Sequence, residues 1–244
     1  MIVVIGVYCA FLIQRYAENV KSAKERNRIV TALKYEIEVF RYQMSQTSIG
    51  MANYHKELEG VREKEAYRDF SNYRFIEPQY DYQTLQYALN LENSEIIDFE
   101  LYKLLQSLLV EIRKVEHTER LLTDVAAHYR SVPASLSRDS ESYLLMHSEN
   151  MDLFDRFIIF IEDRANGAAR IYDASIQCLA EIDAYLGNDA AKQIEKKLIK
   201  QGAPAFGSKE KAMILGRQLF PKFTEEELGE LYDEAIREAG KSGE

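Results

Sequence analysis

Glycine and proline are scarce, 11 and 4 in 244 residues, about half of their usual combined share. So few turn-forming residues exclude a sandwich, a barrel or a propeller. Two cysteines exclude a disulfide scaffold and a Cys-rich zinc site. Basic charge is in the minority, 31 Lys and Arg against 40 Asp and Glu for a net −9. The basic footprint of a nucleic-acid binder is therefore missing, and no nucleic-acid partner is expected. An apolar share of 46% excludes a chain that is disordered throughout.

Catalytic patterns are missing as well. A di-iron bundle needs Glu-x-x-His pairs, but the residues three before His55, His117, His128 and His147 are Ala52, Lys114, Val125 and Leu144. His117 and His128 share a helix face about 16 Å apart, too far to share a metal. Asp124 and His128 offer two ligands, which is a poor metal site. The run Gly202 to Lys209 has Gly-Ser-Lys where a phosphate loop has Gly-Lys-Ser/Thr. There is no nucleophile elbow, dinucleotide fingerprint or zincin motif. No cofactor, metal or catalytic residue is expected. Cys178, beside Leu179, reads as a small buried hydrophobe.

What is present is helical periodicity. Val30, Leu33, Ile37, Phe40, Met44, Thr47, Met51, Tyr54, Leu58 and Val61 alternate in steps of three and four, the a/d pattern of a long helix with a packing seam. Gly50 and Gly60 predict fraying or a kink, at about 1 kcal/mol each. A second seam runs from Met151 through Phe154, Ile158, Ile161, Ala165, Ala168, Tyr172, Ser175, Leu179 and Ile182 to Leu186, and Gly187-Asn188 ends it. Ala165 and Ala168 mark a narrow waist where a neighbouring helix can approach. Between the two seams, Ile96 to about Tyr129 carries a broad apolar stripe and stops at Ser131-Val-Pro133. The three helices read as roughly 33 to 38 residues each, matched as an antiparallel bundle requires. Arg62–Tyr80 and Arg138–Ser142 read as connectors, with a short helix over Tyr82–Leu91 between them.

The two ends of the chain differ from the middle. Ile2 to Ile13 is free of charge and is followed by Gln14, Arg15 and Tyr16. Twelve residues cover about 18 Å against a hydrocarbon core of about 30 Å. The run reads as the C-terminal half of a transmembrane helix, with Arg15 and Tyr16 as a membrane-interface pair; a buried or interfacial helix end is the alternative. It has neither the flanks nor the cleavage site of a signal peptide. At the other end, residues 188–222 hold eight basic and three acidic residues, and residues 223–244 two basic and eight acidic. Two helices that neutralise each other explain this. The alternative is a basic patch of Lys192, Lys196, Lys197 and Lys200 for lipid headgroups or an anionic partner, masked by the acidic tail. Thr224 and Glu227 match a capping box, which predicts a helix from Glu225 to about Glu238.

Val3-Val-Ile-Gly-Val7 with Ala10, Ile13, Tyr16 and Glu18, then Leu33, Glu36 and Ile37, and the stretch Tyr82 to Leu101, resemble a bacterial family of membrane-anchored helical proteins of unknown function. The family has Trp at the position of Tyr16. The resemblance implies a start upstream of Met1, one pass through the inner membrane and a bundle outside the cytoplasm. It implies no reaction. Arg15, Lys21, Lys24, Arg26 and Arg28 follow the apolar run and by the positive-inside rule favour the cytoplasm instead.

The expected architecture is all-α: a transmembrane or membrane-proximal helix over 1–16, a long-helix bundle over 17–187 and a helical extension over 188–244. The expected function is a non-enzymatic scaffold or sensor in which a partner shifts the helix around Arg15–Leu33, with membrane lipid, a protein partner or a second copy as its contacts. A soluble adaptor that oligomerises through its seam, and an enzyme with an unrecognised pocket, are the alternatives.

Overall fold

The computed structural model describes the backbone of residues 2–64, 67, 69–70, 82–90, 97–133 and 135–241, and the side chains of these from residue 21 onward except 205, 206, 240 and 241. Every regular element among them is helical: α1 (Ile2–Arg62), α2 (Gln83–Ala88), α3 (Phe99–His128), α4 (Glu141–Leu186), α5 (Asn188–Gly202), a short 3-10 turn (Ala203–Phe206), α6 (Lys209–Leu219) and α7 (Glu225–Lys241). Among the described residues no helix is long and apolar enough to cross a membrane. The side chains of Arg15 and Tyr16 lie outside the described residues.

The long helices are not matched in length. They have 61, 30 and 46 residues. Helix α1 passes through Gly50 and Gly60 without a break. Met44 and Leu58 on the same helix are fully buried, and burying such side chains contributes about 1.5–3 kcal/mol each, more than a helical glycine costs. Helix α4 begins ten residues before its seam. The Ser140 hydroxyl accepts from Tyr143 N at 3.2 Å, a cap at a position that reads as connector in the sequence. Gly187 ends α4 in a left-handed conformation (φ 81°), and Asn188, rather than extending the stop, opens α5 at once.

The chain divides into two compact units. One comprises Met1–Glu38, Gln86–Leu101 and Leu179–Glu244, the other Val39–Leu85 and Tyr102–Cys178. Helices α1, α3 and α4 each contribute to both.

In the first unit, seam residues Val30, Leu33, Ile37, Leu179 and Ile182 are buried. A separate cluster of Ile199, Phe223, Leu228 and Leu231, flanked by Met213 and Phe220, joins the C-terminal helices. Helices α6 and α7 touch closely, since a Cβ on Gly216 would lie 3.2 Å from Leu228 Cδ2. The capping box of α7 forms reciprocally: Thr224 N donates to Glu227 Oε2 at 2.9 Å and Glu227 N to Thr224 Oγ1 at 3.2 Å.

In the second unit, Leu58, Phe70, Leu122, Val125, Phe154, Phe157 and Ile161 form the core. Phe70, from the segment after α1, stacks on Phe157 at 4.7 Å between ring centroids and meets Tyr129 at 4.8 Å. Asn150 clamps the backbone just beyond α3: its Oδ1 accepts from Arg130 N at 3.4 Å and its Nδ2 donates to Arg130 O at 2.8 Å. Ala165 and Ala168 are both buried. Between them lies a close approach at Gly167, where a Cβ would sit 2.5 Å from Val115 Cγ2.

Candidate functional site: a caged lysine in the first unit

Lys34 follows seam residue Leu33 and is completely buried. A buried ammonium needs an acceptor for each of its three protons. Lys34 Nζ donates to Asp183 Oδ1 on α4 at 2.6 Å and to Glu195 Oε1 on α5 at 2.8 Å. Glu38 Oε1, one turn along α1, lies 3.6 Å away. Lys222, in the link between α6 and α7, closes the cluster from the solvent side. Its Nζ is 2.5 Å from Asp183 Oδ2 and 3.7 Å from Glu195 Oε1.

Two cations thus face three carboxylates. Glu195 Oε2 is buried with no hydrogen-bond partner among the described residues, an arrangement that costs about 1–3 kcal/mol. Burial alone would lower the pKa of Lys34. The hydrogen bonds to Asp183 and Glu195 and the charge of Glu38 outweigh it and hold the pKa above the usual 10.5. An amine kept protonated in this way is neither a nucleophile nor a general base near neutral pH. Its ammonium also occupies the centre that a cation would take among the three carboxylates. The cluster is suited to joining α1, α4 and α5 at a fixed register.

The acidic helix α7 meets the lysines of α5. Lys192 pairs with Glu227 at 2.7 Å and lies 5.0 Å over the Phe223 ring. Lys200 pairs with Glu234 at 2.9 Å and Glu238 at 3.4 Å. Lys209 pairs with Asp233 at 2.6 Å, and Arg217 pairs with Glu225. Of the four lysines in the candidate patch, Lys192 and Lys200 are engaged with α7, whereas Lys196 is half-buried and Lys197 exposed.

Other chemistry is dispersed. His55 lies 3.6 Å from Glu59 and 3.9 Å from Glu162. His128 Nδ1 contacts the backbone oxygen of Asp124 at 2.7 Å, not its carboxylate. His147 packs against the Tyr67 and Tyr143 rings. Among the described residues no three His, Cys, Asp or Glu side chains are placed to hold a metal ion. Burial pushes the Cys178 thiol up to about 12, so it is inert as a thiolate nucleophile. A cleft of about 240 Å³ in the first unit is lined by Arg26, Asp98, Glu181 and Tyr185 together with apolar side chains. It is smaller than the roughly 300–1,000 Å³ of ordinary ligand pockets.

The seam residues could be found by periodicity, but the lysine cage could not. Its local traces are the i,i+4 pair Lys34 and Glu38 and Glu195 in the buried Ala191-Glu195-Ile199 stripe of α5, a carboxylate at an apolar position that requires a partner. Comparison with protein-family models, with curated proteins and with solved structures finds no match for this chain.

Proposed function

We propose that this chain is a non-enzymatic, single-pass membrane-anchored protein in which α1, α3 and α4 form an antiparallel bundle that scaffolds or senses. One observation carries the reading. Helix α1 is a single helix from Ile2 to Arg62, with charge-free residues 2–13 at one end and the Lys34 cage further along. A continuous helix transmits axial shift or rotation, whereas a jointed one absorbs it. Any partner that displaces α5 or α4 at the cage acts on Lys34, the residue next to the coupling segment Arg15–Leu33.

The resemblance to membrane-anchored bacterial proteins supports an inner-membrane location with the bundle outside the cytoplasm. The basic residues after the apolar run support the opposite side. A tag after Glu244, expressed from the natural upstream DNA, tests both points by protease treatment of spheroplasts. Loss of the tag while a cytoplasmic control survives places the bundle outside. A membrane-bound tag that is protected until lysis places it inside. A tag recovered in the soluble fraction overturns the membrane reading.

A further inference from the structure

The first described side chains of α1 belong to no core. Residues 21–25, 27 and 28 are exposed, and burial begins at Ile29. Lys21, Lys24 and Arg28 stand at i, i+3 and i+7 and share one helix face. None of the three pairs with a carboxylate among the described residues, although Glu25 is exposed beside them. Arg26 lies on a different face, 5.0 Å over the Tyr185 ring. Farther along the same helix, Lys34 meets three carboxylates, and in the C-terminal helices Lys192 and Lys200 are tied to α7. From Arg15 to Arg28 the chain has five basic and two acidic residues, a local +3 within a net −9. Lys21 is eight residues past the end of the charge-free run, about 12 Å along the axis. Helical side chains lean toward the N-terminus, so these long cationic ones reach back toward that run.

We propose that Lys21, Lys24 and Arg28 form a basic collar that binds the anionic phospholipid headgroups of the membrane surface from which α1 emerges. The proposal rests on the membrane-anchored reading above. The single-sided stripe tilts α1 toward the surface, because only an inclined helix brings all three residues near the headgroups. Surface potential acts within about a Debye length, roughly 8–10 Å at ordinary salt. The collar recognises charge density, not one headgroup structure.

The test uses the full chain. It contains no tryptophan, so Ser22→Trp, at an exposed position within the collar, gives a single reporter. The protein is reconstituted in liposomes of phosphatidylcholine and phosphatidylglycerol in which one lipid or the other is brominated. Quenching by the brominated anionic lipid is expected to exceed that by the neutral one about fivefold at equal mole fraction. The excess vanishes in Lys21→Gln/Lys24→Gln/Arg28→Gln and in molar salt, and it survives in Lys21→Arg/Lys24→Arg. Equal quenching by the two lipids leaves the membrane reading intact and overturns the collar. No quenching by either, with the protein remaining in the aqueous phase, overturns both.

Discussion

Both units bury cations, and Lys34 of the first is held differently from Arg164 of the second. In the second unit, Arg164 Nε donates to Glu119 Oε1 at 3.3 Å and its Nη1 lies 3.1 Å from Met51 Sδ. The pair balances in charge and sits beside an aromatic core. In the first unit Lys34 is surrounded by three carboxylates, and a second lysine is needed to approach balance. Arginine presents a planar fork that one carboxylate can engage, whereas lysine is a point charge whose three donors seek three acceptors. The lysine solution therefore recruits acceptors from three helices. It joins elements, whereas the arginine pair is mainly an accommodated charge within a packed core.

This difference can be broken most directly at the cations. Lys34→Met leaves three carboxylates without their central ammonium. Stranding buried charge of this kind costs about 3–5 kcal/mol, and urea unfolding with hydrogen exchange should show the loss concentrated in α5. Arg164→Met removes a cation from beside one carboxylate, Glu119, and should cost less. Equal losses would show that the cage is no more than another buried pair.

The next effect compares close approaches. Gly167→Ala places a Cβ against Val115, a stiff β-branched neighbour, and should destabilise the second unit by about 1–3 kcal/mol. Gly216→Ala meets the ends of Leu228 at 3.2–3.3 Å; leucine can yield, so the thermal midpoint should move much less. A larger loss from Gly216→Ala would reverse the assignment of the tighter contact. Thr224→Ala removes half of the α7 capping box, about 1 kcal/mol, read as faster exchange in the first turn of α7 with the second unit unchanged.

The smallest effect is a difference in pH response. Lys34 has a folded pKa above its unfolded 10.5, so its contribution is complete below that value and is lost as pH rises through the folded pKa. In the second unit, burial tends to raise the pKa of Glu111, but hydrogen bonds from Lys114 and Arg170 outweigh this and hold it below the usual 4.5. The Glu111 contribution is complete above that value and is lost as pH falls through the folded pKa. The stability gap between wild type and Lys34→Met should therefore close at the alkaline end, and the gap to Glu111→Gln at the acid end. Gaps closing at the opposite ends would refute these ion-pair assignments.

The helical class, most seam residues and the capping box of α7 were legible because each depends on neighbours within a turn or two. Leu33, Ile37, Phe154 and Ile161 fall where periodicity puts them. Helix α1 crossing Gly50 and Gly60 was not legible, because tertiary burial overrides a local propensity of about 1 kcal/mol. The early start of α4 rests on one serine hydroxyl. The close contact of Gly167 with Val115 depends on which residue of α3 lies opposite, and no pattern within α4 contains that. The cage is the extreme case, with Lys34 separated from Asp183 and Glu195 by 149 and 161 positions.

Those separations also set an order of events during synthesis. The second unit ends at Cys178, so its parts are all present once that residue leaves the ribosome. Lys34 must still wait for Asp183 and Glu195, and Val30, Leu33 and Ile37 wait for the same late segment to cover them. A nascent chain halted near residue 178 would hold a complete second core and an apolar stripe on α1 that lacks the cover supplied by Leu179 and Ile182. That stripe would stay partly exposed until the late segment arrives, and closing so long a loop is slow.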